Sequence, residues 1–178
     1  NDFIKQHKEI EVSAYLSNQQ LDLVDQGFDL AIRLGKLSDS SMMAKKLAAR
    51  TNHVCASPAY LDKYGVPHSL SELDKHSCLL GTRDYWHFSD AGREKNLRVS
   101  GTLRYNSGYG LVDAALKGLG LVQLPDYYIK EHLESGKLIS LLDNYKVADE
   151  GIWAVYPQNR HLSPKIRLLV GYLAERLK

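Results

Sequence analysis

The residues able to do chemistry here are seven histidines, scattered acids and a few polar groups at helix openings, and their spacing favours binding over catalysis. No two histidines stand at the i, i+4 spacing of a helical zinc site, so no metal centre is expected. His68 and His76 flank a short helix and read as solvent-facing. His87 lies between Trp86 and Phe88, where strand alternation turns it either toward a cleft or toward the surface. With Asp84 or Asp90 it forms the one acid–base pair that suggests itself. Gly118-Leu119-Gly120 follows a helix and precedes a strand. A phosphate loop needs the reverse order, with a helix N-terminus facing the anion, so this GxG reads as a helix stop. There is no Gly-x-Ser-x-Gly elbow and no P-loop. No catalytic residue and no cofactor is expected, and the enzyme class is disfavoured.

Two places suit a bound ligand. Asn106-Ser107-Gly108 opens a helix, where unpaired backbone N–H groups, a hydroxyl and an amide favour a carboxylate or another small polar molecule. The same residues also serve as an ordinary helix cap. Arg33-Leu34-Gly35 ends a strand, and Arg33 can pair either with an anionic ligand or with a nearby acid.

These groups need a scaffold, and the sequence reads as alternating helices and short apolar strands, an α/β class. Asn1–Lys8 reads as the end of a helix with Phe3 and Ile4 inward. Ile10, Val12, Ala14 and Leu16 alternate as in a half-buried strand. Asn18 then caps a short helix carrying Leu21, Leu23 and Val24, Gly27 stops it, and Phe28–Ile32 resumes as strand, which predicts a parallel βαβ unit. A strand over His53–Ala56 precedes a helix opened by Ser57-Pro58 and closed at Gly65. Ser69 and Glu72 have capping-box spacing. Strands are expected at Cys78–Leu80, Tyr85–Phe88, Leu97–Val99 and Leu103–Tyr105, with a hairpin turn over Ser89–Gly92. Asn106–Pro125 predicts a helix, a glycine stop and a buried strand. A helix over Asp126–Glu134 and strands over Lys137–Leu142 and Ile152–Tyr156 follow. The loop Pro157–Leu162 leads to a last helix, capped by Ser163-Pro164, with Ile166, Leu169, Val170 and Leu173 inward.

Composition narrows the function. The 178 residues carry 23 Lys+Arg against 21 Asp+Glu, a net charge of +2, which leaves no basic face for gripping nucleic acid. No apolar run approaches the ~18 residues of a membrane span. Cys55 and Cys78 each sit in an apolar stretch and read as buried free thiols, which fits a reducing cytoplasm.

Four segments, in order, resemble the effector-binding domain of LysR-type transcriptional regulators. They are Asp22–Arg33, Cys55–Leu61, Ala114–Pro125, and Trp153–Pro157 followed by Arg160–Arg167. The resemblance implies a periplasmic-binding-protein-like fold of type 2, two α/β subdomains joined by two crossover strands with a small-molecule effector in the cleft. It implies subdomain one over 1–56 plus 156–178 and subdomain two over 57–155. Against the family pattern, the first strand and the N-terminal helix-turn-helix domain have no counterpart here, so DNA contact is expected only through that missing domain. Arg33, Leu34, Ser107 and Gly108, with Trp86 and Asn106 behind them, are the implied ligand-binding residues. Ser57 and Pro157 are the implied hinge residues, Ser57 serving as hinge or as cap. A homodimer, a tetramer in the intact regulator, and no membrane partner are also implied. The dimer surfaces would include the helices at Asn1–Lys8 and Tyr109–Lys117. A free-standing periplasmic solute-binding protein of the same fold is the alternative.

Overall fold

Serine side chains cap the starts of two helices among the described residues, and pairing partners set the strands. The computed structural model describes residues 1–37, 42–157 and 163–177. The chain divides into two units, residues 1–49 with 150–178 and residues 50–149.

In the first unit, α1 (Asp2–Gln6) buries Phe3 but leaves Ile4 exposed. A three-stranded sheet has the order β1 (Ala31–Leu34), β8 (Glu150–Pro157), β2 (Met42–Arg50). β1 runs antiparallel to β8, with Ile32 opposite Ala154 and Leu34 opposite Ile152. Ala154 and Ile152 pack with Leu47 and with Val170 of α5 (Pro164–Arg176), and Ile166 and Leu173 join them at the edge. Ser163 caps α5 as expected, its hydroxyl accepting from the Ile166 N–H. Between Pro157 and Ser163 the predicted loop, with Arg160, His161 and Leu162 of the resemblance, lies outside the described residues.

The first thirty residues depart from expectation. Residues 10–16 form no strand, and Leu16 is 94% exposed although Ile10 is buried. Alternation marks a face, but a strand also needs an edge to hydrogen-bond with. β1 finds that edge on β8, antiparallel, so the expected parallel βαβ unit does not form. The helix expected after Asn18 is a turn instead. The Asp22 carboxylate accepts from the backbone N–H groups of Val24 (2.8 Å) and Asp25 (3.1 Å) as a helix cap does, but Gly27 ends the segment after a single turn. Gly27 does take the positive φ, +69°, that the stop required.

In the second unit, β3 (Asn52–Ala56) lies between β6 (Val122–Pro125) and β7 (Ile139–Leu141), antiparallel to both. Alternation along β3 feeds two cores. Val54 and Ala56 join Tyr60, Trp86, Phe88 and Leu121 in one, and Cys55 joins Leu111, Ala115, Val122 and Ile129 in the other. α2 (Pro58–Tyr64) ends at Gly65 with φ +84°. Ser69 and Glu72 open a 3₁₀ segment, Leu70–Lys75, with the Glu72 carboxylate accepting from the His68 N–H at 2.9 Å. β4 (Tyr85–Asp90) and β5 (Arg93–Arg98) form the predicted hairpin, Ala91 and Gly92 at its turn with φ of +50° and +76°. Cys78 and Leu80 make only single parallel bridges, to Leu121 and Arg104. α3 (Gly108–Leu116) and α4 (Asp126–Glu134) cover the second core, and a second 3₁₀ segment spans Asp143–Tyr145.

Candidate ligand-binding site

The first turn of α3 is a backbone surface set among tyrosines. Asn106 and Ser107 are exposed, and the Ser107 hydroxyl makes no capping bond. The Leu111 N–H closes the turn onto the Ser107 carbonyl at 3.2 Å. The N–H groups of Gly108, Tyr109 and Gly110 precede it, and helix geometry offers such groups no acceptor within the helix. Two glycines let rings approach this turn directly. A Cβ on Gly108 would stand 2.5 Å from the Tyr128 ring, and one on Gly110 would stand 3.1 Å from the Tyr105 ring. Tyr109 is 76% exposed and meets Tyr128 edge-on at 5.0 Å between centroids. Tyr127 packs on Tyr128 at 4.7 Å. Burial pushes the Tyr128 phenol up from its ordinary pKa, so its hydroxyl stays protonated and able to donate. Asn106–Gly108 is legible in the sequence as a helix opening, whereas the tyrosines come to it from separate segments. The Gly108-x-Gly110 spacing at a helix start was the available signal, because it leaves room for rings against the backbone.

The other expected residues fall in different places. Arg33 is half-buried on β1, and its Nη2 donates to the Leu21 carbonyl at 2.6 Å. Leu34 is 47% exposed at the end of the same strand. Trp86 is 4% exposed and belongs to the core with Phe88 and Val54, because alternation along β4 sends both rings to the sheltered face. Ser57 is buried and caps α2, its hydroxyl accepting from the Tyr60 N–H at 3.4 Å. Pro157 is the last residue of β8. The units meet along the chain at 49/50 and 149/150, where Thr51 and Asp149 share a hydrogen bond.

The suggestive acid–base pair is engaged elsewhere. The Arg98 guanidinium hydrogen-bonds Asp84 and holds its carboxyl below the usual range. Asp90 pairs with Lys95, and the backbone of His87 exchanges two hydrogen bonds with the Gln123 side chain. Among the described residues no group of His, Cys, Asp and Glu could hold a metal ion. No described helix is long and apolar enough to cross a membrane.

The family profile of the LysR substrate binding domain matches residues 1–178. The chain belongs to this LysR family. It is 34% identical over 178 residues to the HTH-type transcriptional activator TtdR of Escherichia coli K12, covering 97% of this chain and 57% of TtdR. The chain therefore spans little more than half the length of that relative. The regulatory domain of CrgA, a LysR-type transcriptional regulator from Neisseria meningitidis, superposes with a TM-score of 0.85 at 31% identity, covering 99% of this chain and 89% of CrgA's. Full-length AphB, the Vibrio cholerae virulence activator, superposes at 0.86 with 26% identity, covering 99% of this chain and 62% of AphB. The LysR fold is the α/β, type 2 periplasmic-binding-protein-like architecture that the sequence resemblance implied.

Proposed function

We propose that this LysR domain senses a small polar or anionic effector. Asn106, Ser107 and Gly108 are its proposed contacts in the second unit, and Arg33 and Leu34 are the candidate contacts of the first unit taken by itself. The observation that carries this reading is the first turn of α3. Its opening N–H groups lack a cap from Ser107, and tyrosine rings flank them. A charged oxygen placed there gains hydrogen bonds worth about 1.5–3 kcal/mol each. Trp86 is left to the core, and Ser57 to its cap.

In the intact regulator, effector binding shifts the population of domain or subunit arrangements, which requires different affinity for the two states. DNA is contacted by a separate helix-turn-helix domain, and the sensing domains pair as a homodimer in a cytoplasmic protein that is not an enzyme. That TtdR and CrgA are transcriptional regulators supports this reading over a free-standing solute-binding protein.

Calorimetry with an effector found by screening tests the site. Ser107→Ala and Arg33→Ala are each expected to weaken affinity about ten-fold or more, the equivalent of one charged hydrogen bond. Unchanged affinity in both variants rejects the assignment.

A further inference from the structure

We infer that Tyr128 and the start of α4 link the ligand-holding turn of α3 to the two chain segments by which the second unit is joined to the first. The inference rests on the effector reading above for its purpose, though each contact stands without it.

The connection is a continuous run of short contacts inside residues 50–149. The Gly108 backbone lies against the Tyr128 ring so closely that even a methyl group would collide with it. Tyr128 is the third residue of α4, whose first residue, Asp126, donates its backbone N–H to the Thr51 carbonyl at 2.9 Å. The Thr51 hydroxyl in turn donates to the Asp149 carboxylate at 2.7 Å, closing a contact between residues 98 apart in sequence. Thr51 and Asp149 are the second and the last residues of the unit.

Each joint is suited to passing on a displacement. The ring is half-buried, with Tyr109 and Tyr127 packed on it, and it lies against the Gly108 backbone, so a displacement of the turn bears directly on it. A helix moves as a rod, so a shift of Tyr128 reaches Asp126. The bond from Asp126 fixes one crossing segment, and Thr51 fixes that segment to the other. Thr51 and Asp149 are thus positioning residues, with the Tyr128 ring between them and the turn. Coupling of this kind is reciprocal: loosening the crossing segments must loosen the turn of α3.

The test needs no effector. Amide hydrogen exchange on the 178-residue chain reads the Leu111 N–H, which closes the first turn of α3. Rates are normalised to Leu124 in the β3–β6 ladder and Val54 in the β3–β7 ladder, the central sheet of the unit. Thr51→Val and Asp149→Ala are each expected to speed Leu111 exchange about five-fold or more, the lower end of typical coupling, and Thr51→Ser to leave it near wild type. In a Tyr128→Ala background the Thr51→Val effect is expected to vanish. The inference is overturned if Leu111 stays within about two-fold of wild type in both variants, well below typical coupling. It is overturned equally if the effect survives without the Tyr128 ring. Neither result bears on whether Ser107 and Arg33 hold an effector, which calorimetry decides separately.

Discussion

The backbone of Gly108 and the ring of Tyr128 are in direct contact, at a spacing no side chain on residue 108 would permit. A Cβ there would meet three ring carbons at 2.5, 2.5 and 2.9 Å. Gly108 does not have the positive φ that excludes other residues. Alanine would ordinarily strengthen a helix by up to about 1 kcal/mol relative to glycine. Gly108→Ala is nevertheless expected to destabilise the chain by about 1–3 kcal/mol, the cost of forcing a packed ring aside. The same substitution in a Tyr128→Ala background should cost little or nothing. Urea denaturation of the four chains checks this, and a cost that persists without the ring would locate the strain elsewhere.

Ser57 is a cap by its geometry, and caps have a known energetic signature. Ser57→Ala is expected to lower stability by about 1 kcal/mol through the lost bond to the Tyr60 N–H. Chemical denaturation measures this directly, and an unchanged midpoint would return Ser57 to the hinge role that the sequence left open.

His53 gives the second unit a pH dependence with a definite sign. Its Nδ1 is buried without a hydrogen-bond partner. Burial lowers its pKa, assisted by Lys146, while Asp143, Asp126 and Asp149 oppose the shift without reversing it. The unfolded chain therefore takes up this proton more readily than the folded one. Stability is highest above the ordinary histidine value of 6.5 and falls as pH drops from there toward the folded pKa. Denaturation midpoints at neutral and mildly acidic pH, above the carboxylate range, should show the loss, and His53→Gln should reduce it. A variant with an undiminished pH slope would assign the effect to other groups.

Cys55 and Cys78 are expected to be silent. Both are fully buried and free, and burial pushes each thiol up to about 12. Thiolate is the reactive form, so neither should react with a disulfide reagent near pH 8 in the native chain. Both should react in guanidinium, at a rate that follows unfolding. Stoichiometric reaction of one thiol under native conditions would contradict its burial.

What the sequence disclosed depended on how local each signal was. Ser57-Pro58 with Gly65, and Ser163-Pro164, define helix ends through contacts within three or four residues, and the structure has those ends. The Ala91-Gly92 turn is equally local. Ile10–Leu16 failed because its alternation says nothing about whether an edge is available to pair with it. Trp86, a pocket residue by the family resemblance, alternates with Phe88 along β4. Two bulky apolar residues on one side of a strand indicate core, as their burial shows. Asn106-Ser107-Gly108 was legible as a helix opening. Tyr128 stands twenty residues further on, and only the packing of α3 against α4 brings its ring to Gly108.

The effector site at α3 is tested most directly by an NMR titration of the chain with a panel of small carboxylates and other polar molecules, following the backbone amides of Gly108 to Leu111. A saturable shift of these amides by at least one ligand, weakened by Ser107→Ala, is the predicted result. A ligand that binds tightly while these amides stay still, with affinity indifferent to Ser107→Ala, would contradict the assignment of the effector to this turn.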